Sequence, residues 1–325
     1  MTAIDLVNKG RASAIDPKRL RELSQRSDLR GWAQTGSHFA AIGVCGALLW
    51  SLRATAWAVP LFVVQGVLIN YLYAGQHEFS HSTVFRTRRL NEIFGRLIGF
   101  IVLAPRDADQ VQHFAHHRHT QIWRQDGELY RAKFTLRTYL LRLVGLEYWW
   151  ANISTIVLYA LGRVSEPYVF GDDRGRVIRE ARWHVLGYGV IAGLAVWAHS
   201  WAPVLLWLAP MLALKIAHQL QNTIEHVGLP HTGDMFANTR STRTNPVMRW
   251  LCWQMQYHTA HHAFPSVPCY RLRELHQALF VERGIEPPTM TYLGFQAAII
   301  AALARQGEAE YPDDAAWIVA KAAQR

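Results

Sequence analysis

The stretch that decides how this chain folds is Ala54–His81, ATAWAVPLFVVQGVLINYLYAGQHEFSH. Ala54 to Ala74 carries no charge and is close to the ~20 apolar residues that a helix needs to cross ~30 Å of hydrocarbon. The last five residues, His77-Glu-Phe-Ser-His81, place two imidazoles four apart, on one face of the same helix where it leaves the apolar run.

Working outward, the apolar segment Ser37–Ser51 precedes this one, and the connector's only charge is Arg53. A second pair runs from Trp183 to Ala198 and from Ala202 to Gln219, joined at His199-Ser200-Trp201. The first and third segments are short and need flanking residues to span. The first begins too late, and lacks a cleavage site, to be a signal peptide. A buried hairpin of a soluble protein is the competing reading. Against it, Trp32, Trp50, Trp57, Trp183, Trp197 and Trp201 sit at segment ends, as in interfacial aromatic belts. Pro60, Pro203 and Pro210 are tolerated more easily in membrane helices than in short soluble ones.

Charge sets the orientation. Across 325 residues, 34 Lys+Arg against 24 Asp+Glu leave a net charge of +10. Seven basic residues (Lys9, Arg11, Lys18, Arg19, Arg21, Arg26 and Arg30) precede the first segment, and residues 76–181 and 220–325 hold most of the others. The positive-inside rule then places both termini and both long segments in the cytosol. The expectation is an all-α integral membrane protein with four transmembrane helices in two hairpins and a cytosolic helical cap. One domain covers 1–325: a cytosolic N-terminal segment (1–36), hairpin 1 (37–74), a cytosolic stretch with interfacial helices (75–181), hairpin 2 (182–220), and a last cytosolic segment with the tail (221–325). Phe94–Leu103 is apolar but too short to span and reads as re-entrant or interfacial. Thr135–Leu161 reads as an amphipathic helix at the membrane surface. Tyr292–Ala304 is either similar or a core helix of the cap. Lys215, inside the fourth segment, either snorkels to the interface or pairs with a substrate carboxylate.

Half the residues are hydrophobic and 18% are charged, which excludes a disordered tail and a collagen-like fibre. Cys45, Cys252 and Cys269 form no CxxC pair, so no thiolate zinc site or disulfide scaffold is encoded. Nucleic acid as a partner is excluded, because topology already accounts for the Lys/Arg distribution.

The sixteen histidines are clustered. After His77 and His81 come His113-Phe-Ala-His116-His117, and after the second hairpin His258-Thr-Ala-His261-His262 repeats that spacing. On a helix, positions i, i+3 and i+4 share a face, so each cluster can aim two or three nitrogens at one point. Neutral imidazole suits iron, zinc and copper. Eight such side chains exceed what one metal binds, so two metals are implied. Imidazole ligands are commonly oriented by carboxylates, and Glu78, Asp109, Asp126 and Glu225 are the candidates.

The three clusters, read as HxxxH, HxxHH and HxxHH, resemble the membrane fatty-acid desaturase and hydroxylase superfamily. Their contexts agree with it: Ser82-Thr-Val-Phe-Arg-Thr-Arg-Arg after the first, Asp126-Gly-Glu-Leu after the second, and Met255-Gln-Tyr-His-Thr-Ala-His-His-Ala-Phe-Pro around the third. The similarity spans roughly residues 70 to 276. It implies two iron ions, oxygen as co-substrate, and a ninth histidine ligand at His226, with Asn222 reaching the metal through water. His218 on the same face reads as packing or support, and His119 is left out of the ligand set. His38, His184 and His199 are isolated, while His231 and His276 read as loop or capping contacts.

The resemblance implies oxygen-dependent oxidation of an unactivated C–H bond in a long-chain fatty acid or fatty-acyl lipid. Desaturation is favoured by the context of the third box; hydroxylation or decarboxylation to a terminal alkene are alternatives at the same site. Trp149 and Trp150 are candidates for the wall of a chain-binding tunnel or for bilayer anchors. A histidine-rich membrane metal transporter is the alternative of another class, but it would need ionisable groups inside the apolar segments. No CxxCH and no dinucleotide GxGxxG is present, so the electrons are expected from an external donor such as a ferredoxin with its reductase. A bacterial-type inner membrane is the expected location.

Overall fold

A computed structural model describes residues 14–122, 125–129, 133–306 and 308–310. Lys9 and Arg11 of the basic leader and the end of the C-terminal tail lie outside the described residues. Nearly all regular structure is helical. Helix α1 (Pro17–Leu23) starts on Asp16, whose carboxylate accepts from Lys18 N. Helix α2 (Asp28–Ser51) starts on Ser27, whose hydroxyl accepts from Arg30 N. The chain turns at 52–57 into α3 (Ala58–Ser80), which packs along α2. Both helices outrun their apolar stretches, so α3 carries His77 in its last turn and His81 at its C-cap.

Helices α4 (Arg88–Ile101) and α5 (Arg106–His119) follow. The single helix expected over 135–161 is two: α6 (Leu136–Val144) and α7 (Leu146–Ala160). Gly145 separates them at φ +85°, and a Cβ there would collide with the Lys215 side chain. Helix α8 (Asp172–Trp197) leans on α5 and α7. An ion-pair network ties α4, α5 and α8: Arg96 donates to Glu180 and Asp107 at 3.0 Å each, and Arg176 to Asp107 at 2.9 Å.

After residues 198–203 the chain forms a π-helical turn (Val204–Leu208), then α9 (Ala209–Ala213) and α10 (Lys215–His226). Pro210 has no N–H for the Leu206 carbonyl, which instead accepts from Gln65 Nε2 at 3.0 Å. Where the helix breaks again at Leu214, the Met211 carbonyl accepts from Asn70 Nδ2 at 2.8 Å. Two buried amides of α3 thus satisfy carbonyls left open in the neighbouring strand of helix. The two elements also meet at Gly66, where a Cβ would collide with the Pro210 carbonyl.

By length and composition, α3 and the run Val204–His226 can cross a membrane. Helices α2 and α8 have the length but are less apolar, so two rather than four helices meet that measure among the described residues. The two expected hairpins also differ in packing. Helix α2 lies along α3, whereas an apolar cavity of about 400 Å³ separates α8 from Val204–Leu208, with Ile153, Ile156 and Val157 of α7 as its third wall.

The remaining helices are α11 (Met235–Asn238), α12 (Pro246–Leu251), α13 (His258–Ala263), α14 (Leu272–Leu279) and α15 (Tyr292–Gln306). Short strands pair Lys133–Thr135 antiparallel with Glu308–Glu310 and Ser241–Arg243 parallel with Thr289–Thr291. The main core joins Leu72 and Phe79 of α3 to Phe85, Trp253, Leu272 and Leu275. A second core packs Phe295 and Ile299 of α15 on Tyr139 and Ile224, so α15 is a core helix.

Candidate metal centre

The histidine side chains converge where the ends of α3 and α10 meet α5 and α13. Two groups form, and within each the ligand-type atoms all lie within 4.8 Å of one another. One holds His77, His81, His113, His117 and His261; the other holds His116, His226, His258 and His262. These are the nine histidines singled out above. The HxxHH spacing splits between the groups: His113 and His117, one turn apart on α5, face one centre while His116 faces the other. On α13, His261 faces the first and His258 and His262 the second.

Several outer nitrogens are tied down, and this fixes what the inner nitrogens of those rings present. His116 Nδ1 donates to Asp126 Oδ1 at 2.8 Å, and His226 Nδ1 donates to the Asn238 carbonyl at 3.2 Å. The Thr120 hydroxyl gives its proton to the His116 carbonyl at 2.8 Å, so it accepts from His262 Nδ1 at 3.2 Å. Glu78 Oε1 lies 3.5 Å from His77 Nδ1 and 3.4 Å from His261 Nδ1, while Oε2 accepts from Cys269 N. With Nδ1 carrying the proton, Nε2 turns a lone pair inward. Inside, His226 Nε2 and His258 Nε2 stand 2.8 Å apart, His81 Nε2 and His113 Nε2 2.8 Å, and His117 Nε2 and His261 Nε2 3.3 Å. In the tautomers with Nδ1 protonated, lone pairs face one another at these distances and a cation among them would relieve the repulsion, so the residues fit a metal in each group. An all-imidazole donor set suits iron, zinc or copper rather than calcium or magnesium.

Electrostatics sets one ring of the four-histidine group apart, since burial and neighbouring imidazoles also lower His226, His258 and His262. Burial and the neighbouring imidazoles hold His81, His113, His117 and His261 well below the usual histidine range, hence neutral. Burial acts on His116 in the same direction, but the charges of Asp126 and Glu128 outweigh it and push it up to about 9.

The carboxylates fall into place unevenly. Glu78 and Asp126 contact imidazoles as described, and Glu225 Oε1 lies 3.8 Å from His258 Nδ1 while accepting from Gln221. Asp109 departs from the expectation: it accepts from the Tyr73 hydroxyl at 2.8 Å and from Ser80 at 3.4 Å, not from an imidazole. Its position one turn before His113 turns it toward α3. Glu128, passed over within Asp126-Gly-Glu-Leu, lies 3.4 Å from His113 Nδ1 and lines a small polar cavity with His77, His116, Asn222, Glu225 and His258. It was legible only as the next acid in a motif already noticed. Asn222 lines the same cavity, and its Oδ1 accepts from Arg142 Nη2 at 3.2 Å, a partner that no spacing rule signalled.

The other histidines sort by burial. His38 is a satisfied core residue, donating from Nε2 to the Leu68 carbonyl and accepting from Trp253 Nε1. His184 pairs with Tyr188, and His231 donates to the Gln121 carbonyl. Snorkelling is excluded for Lys215, which is 1% exposed and donates to His218 Nδ1 at 3.1 Å. The two tryptophans part company: Trp149 is buried and Trp150 is 77% exposed.

The family profile described as Fatty acid desaturase matches residues 54–292, from just before α3, past all the histidine boxes, to the first residue of α15. The chain belongs to the fatty acid desaturase family. It is an oxidoreductase of that family by this match and by its relatives. The sn-1 oleoyl-lipid 12-desaturase of Picosynechococcus sp. is 21% identical over 278 residues, covering 80% of this chain and 79% of the relative. The chloroplastic omega-6 fatty acid desaturase of Spinacia oleracea is 21% identical over 292 residues, covering 81% of this chain and 61% of that protein. The Synechocystis sp. sn-1 oleoyl-lipid 12-desaturase is again 21% identical, with 80% and 78% covered.

Proposed function

We propose that the enzyme is a membrane-bound di-iron oxidase that uses oxygen to desaturate a long fatty-acyl chain. The observation that carries this is the gathering of nine histidines from four helices and one helix cap into groups of five and four. Two iron ions would be held by these nine side chains, with Asn222 beside the four-histidine group. When bound, they supply the oxidising power to remove hydrogen from an unactivated C–H bond. The protein's own part is orientation and exclusion. Asp126, Thr120 and the Asn238 carbonyl fix imidazole tautomers, Glu78 aligns two rings at once, and the buried groups keep bulk water from the reacting carbon.

The membrane reading extends to four spans in two hairpins, with the cap and both termini in the cytosol of a bacterial-type inner membrane. Exposed aliphatic and aromatic residues support it: Val44, Leu48, Val59 and Val63 on the first pair, Val185, Leu186, Val190 and Leu194 on α8. A separate carrier such as a ferredoxin would deliver the electrons. Relatives named as 12-desaturases favour a double bond over an alcohol or a terminal alkene. Expression of the chain and of its His261→Ala variant, with iron analysis and mass spectrometry of fatty acids and hydrocarbons, tests the reading. Two irons and a new unsaturated product, absent in the variant, are expected. Zinc without product in iron-replete cells that supply the carrier would overturn it.

A further inference from the structure

Between the apolar cavity and the histidines sits a buried lysine flanked by two hydrogen-bond donors that lack acceptors. Lys215 opens α10 and is fully buried, with Nζ 3.3 Å from the centre of the Tyr148 ring, 5.3 Å from that of Trp149 and 5.4 Å from that of Tyr73. Its hydrogen-bond partner is His218 Nδ1. Asp109, the acid whose charge reaches it, is held by Tyr73 and Ser80. Trp149 is 7% exposed and its Nε1–H has no hydrogen-bond partner; the buried Tyr148 hydroxyl has none either. A buried lysine amine beside an indole N–H and a phenol that both lack an acceptor forms an arrangement that an anion would complete. The break at Gly145 builds it, since the glycine lets α7 start against the Lys215 stem and so brings Tyr148 and Trp149 around it.

The surroundings say what the anion is attached to. Trp149 packs in one cluster with Leu103, Ile156, Tyr188, Trp207 and Leu208. Those five also line the apolar cavity of about 400 Å³ between α7, α8 and Val204–Leu208. That volume suits a hydrocarbon chain rather than a headgroup. On the other side, Tyr73 and His218 line the small cavity that contains His77 and His258.

We propose that Lys215, with Trp149 Nε1 and Tyr148, binds the carboxylate of a free long-chain fatty acid whose tail occupies the apolar cavity. This rests on the oxidase reading above and narrows it. The substrate carries a free carboxylate, not a glycerolipid ester, and the carbons nearest the carboxylate lie nearest the histidines. Oxidation is then directed to the carboxyl end of the chain and not to its middle.

The test uses the full-length, iron-loaded protein in detergent and two probes of equal chain length, dodecanoic acid and methyl dodecanoate. The wild type is expected to bind the acid at least tenfold more tightly than the ester. Lys215→Met, which keeps the stem, should bind both alike with its iron content unchanged. Trp149→Phe, which keeps a ring and removes the N–H, should weaken the acid severalfold and leave the ester unaffected. Equal binding of acid and ester by the wild type, or an acid preference that survives Lys215→Met, would overturn the proposal. Should Lys215→Met fail to fold, the wild-type comparison and Trp149→Phe still decide it. Iron analysis keeps the two readings apart: acid preference without iron refutes the oxidase, and two irons without acid preference refute only the carboxylate site.

Discussion

The two histidine groups share ligand chemistry but not surroundings. The five-histidine group is nearly all imidazole, with Glu78 buried behind two of its rings and Glu128 touching a third. The four-histidine group has one ring fewer and a polar fringe of Asp126, Glu128, Glu225, Asn222 and Arg142. With metals bound, the five-histidine group would hold its ion through ligand count, and the four-histidine group, with one ring fewer, would leave room for water. The difference teaches that near-identical sequence boxes build two unequal centres, because each HxxHH box is split across both.

Removing a ligand from either side breaks the comparison most sharply. His261→Ala and His262→Ala should each lose one iron of two, from opposite groups, and abolish product formation; metal analysis by mass spectrometry reads the count. Loss of both irons from both variants would show the groups to be a single cooperative site. Next in size are the carboxylates. Glu78→Gln and Asp126→Asn should each weaken metal binding by about 10- to 100-fold, with Glu78→Gln the more severe because it serves two rings. Competition with a chelator measures this. A smaller effect is expected at the fringe: Arg142→Met removes the donor to Asn222 and should lower turnover about tenfold with both irons retained, the scale of one charge-assisted hydrogen bond.

The subtlest difference is in protons. His116 is pushed up to about 9, above its unfolded value of 6.5, so in metal-free protein its protonation stabilises the fold below pH 6.5. That contribution is lost as the pH rises through 9. Metal entering the four-histidine group at pH 7 must displace this proton, whereas His81, His113, His117 and His261 of the other group are already neutral. Calorimetric titration in two buffers of different ionisation heat should therefore find about one extra proton released for the four-histidine group. Affinity there should rise with pH up to about 9, and a flat profile for both groups would erase the distinction.

Much of this architecture could be read before any coordinates. The histidine spacings picked out eight of the nine converging rings, because a helix maps i, i+3 and i+4 onto one face whatever surrounds it, and the family resemblance supplied His226. The long helices were visible as apolar runs, but their ends were underestimated, since polar residues such as Gln76 and His77 continue a helix that burial supports, and the breaks at Gly145 and Leu214 were not seen. Asp126 was legible through its motif, whereas Asp109 was misjudged: sequence separation says nothing of the direction in which a side chain leaves its helix. Arg142, Thr120 and the Asn238 carbonyl were not legible, as each meets its partner across a long gap in sequence.

Composition and periodicity by themselves determined the helical class, the apolar segments and the identity of the histidines, because these depend on local chemistry that the chain carries with it. Tertiary packing alone decided how the nine rings divide into five and four, that Nδ1 of His116, His226 and His262 is tied down, and that Lys215 is buried beside Tyr148 and Trp149 rather than reaching for water. Those outcomes depend on which surfaces exclude solvent and which groups must then find partners, a balance struck only when distant segments meet.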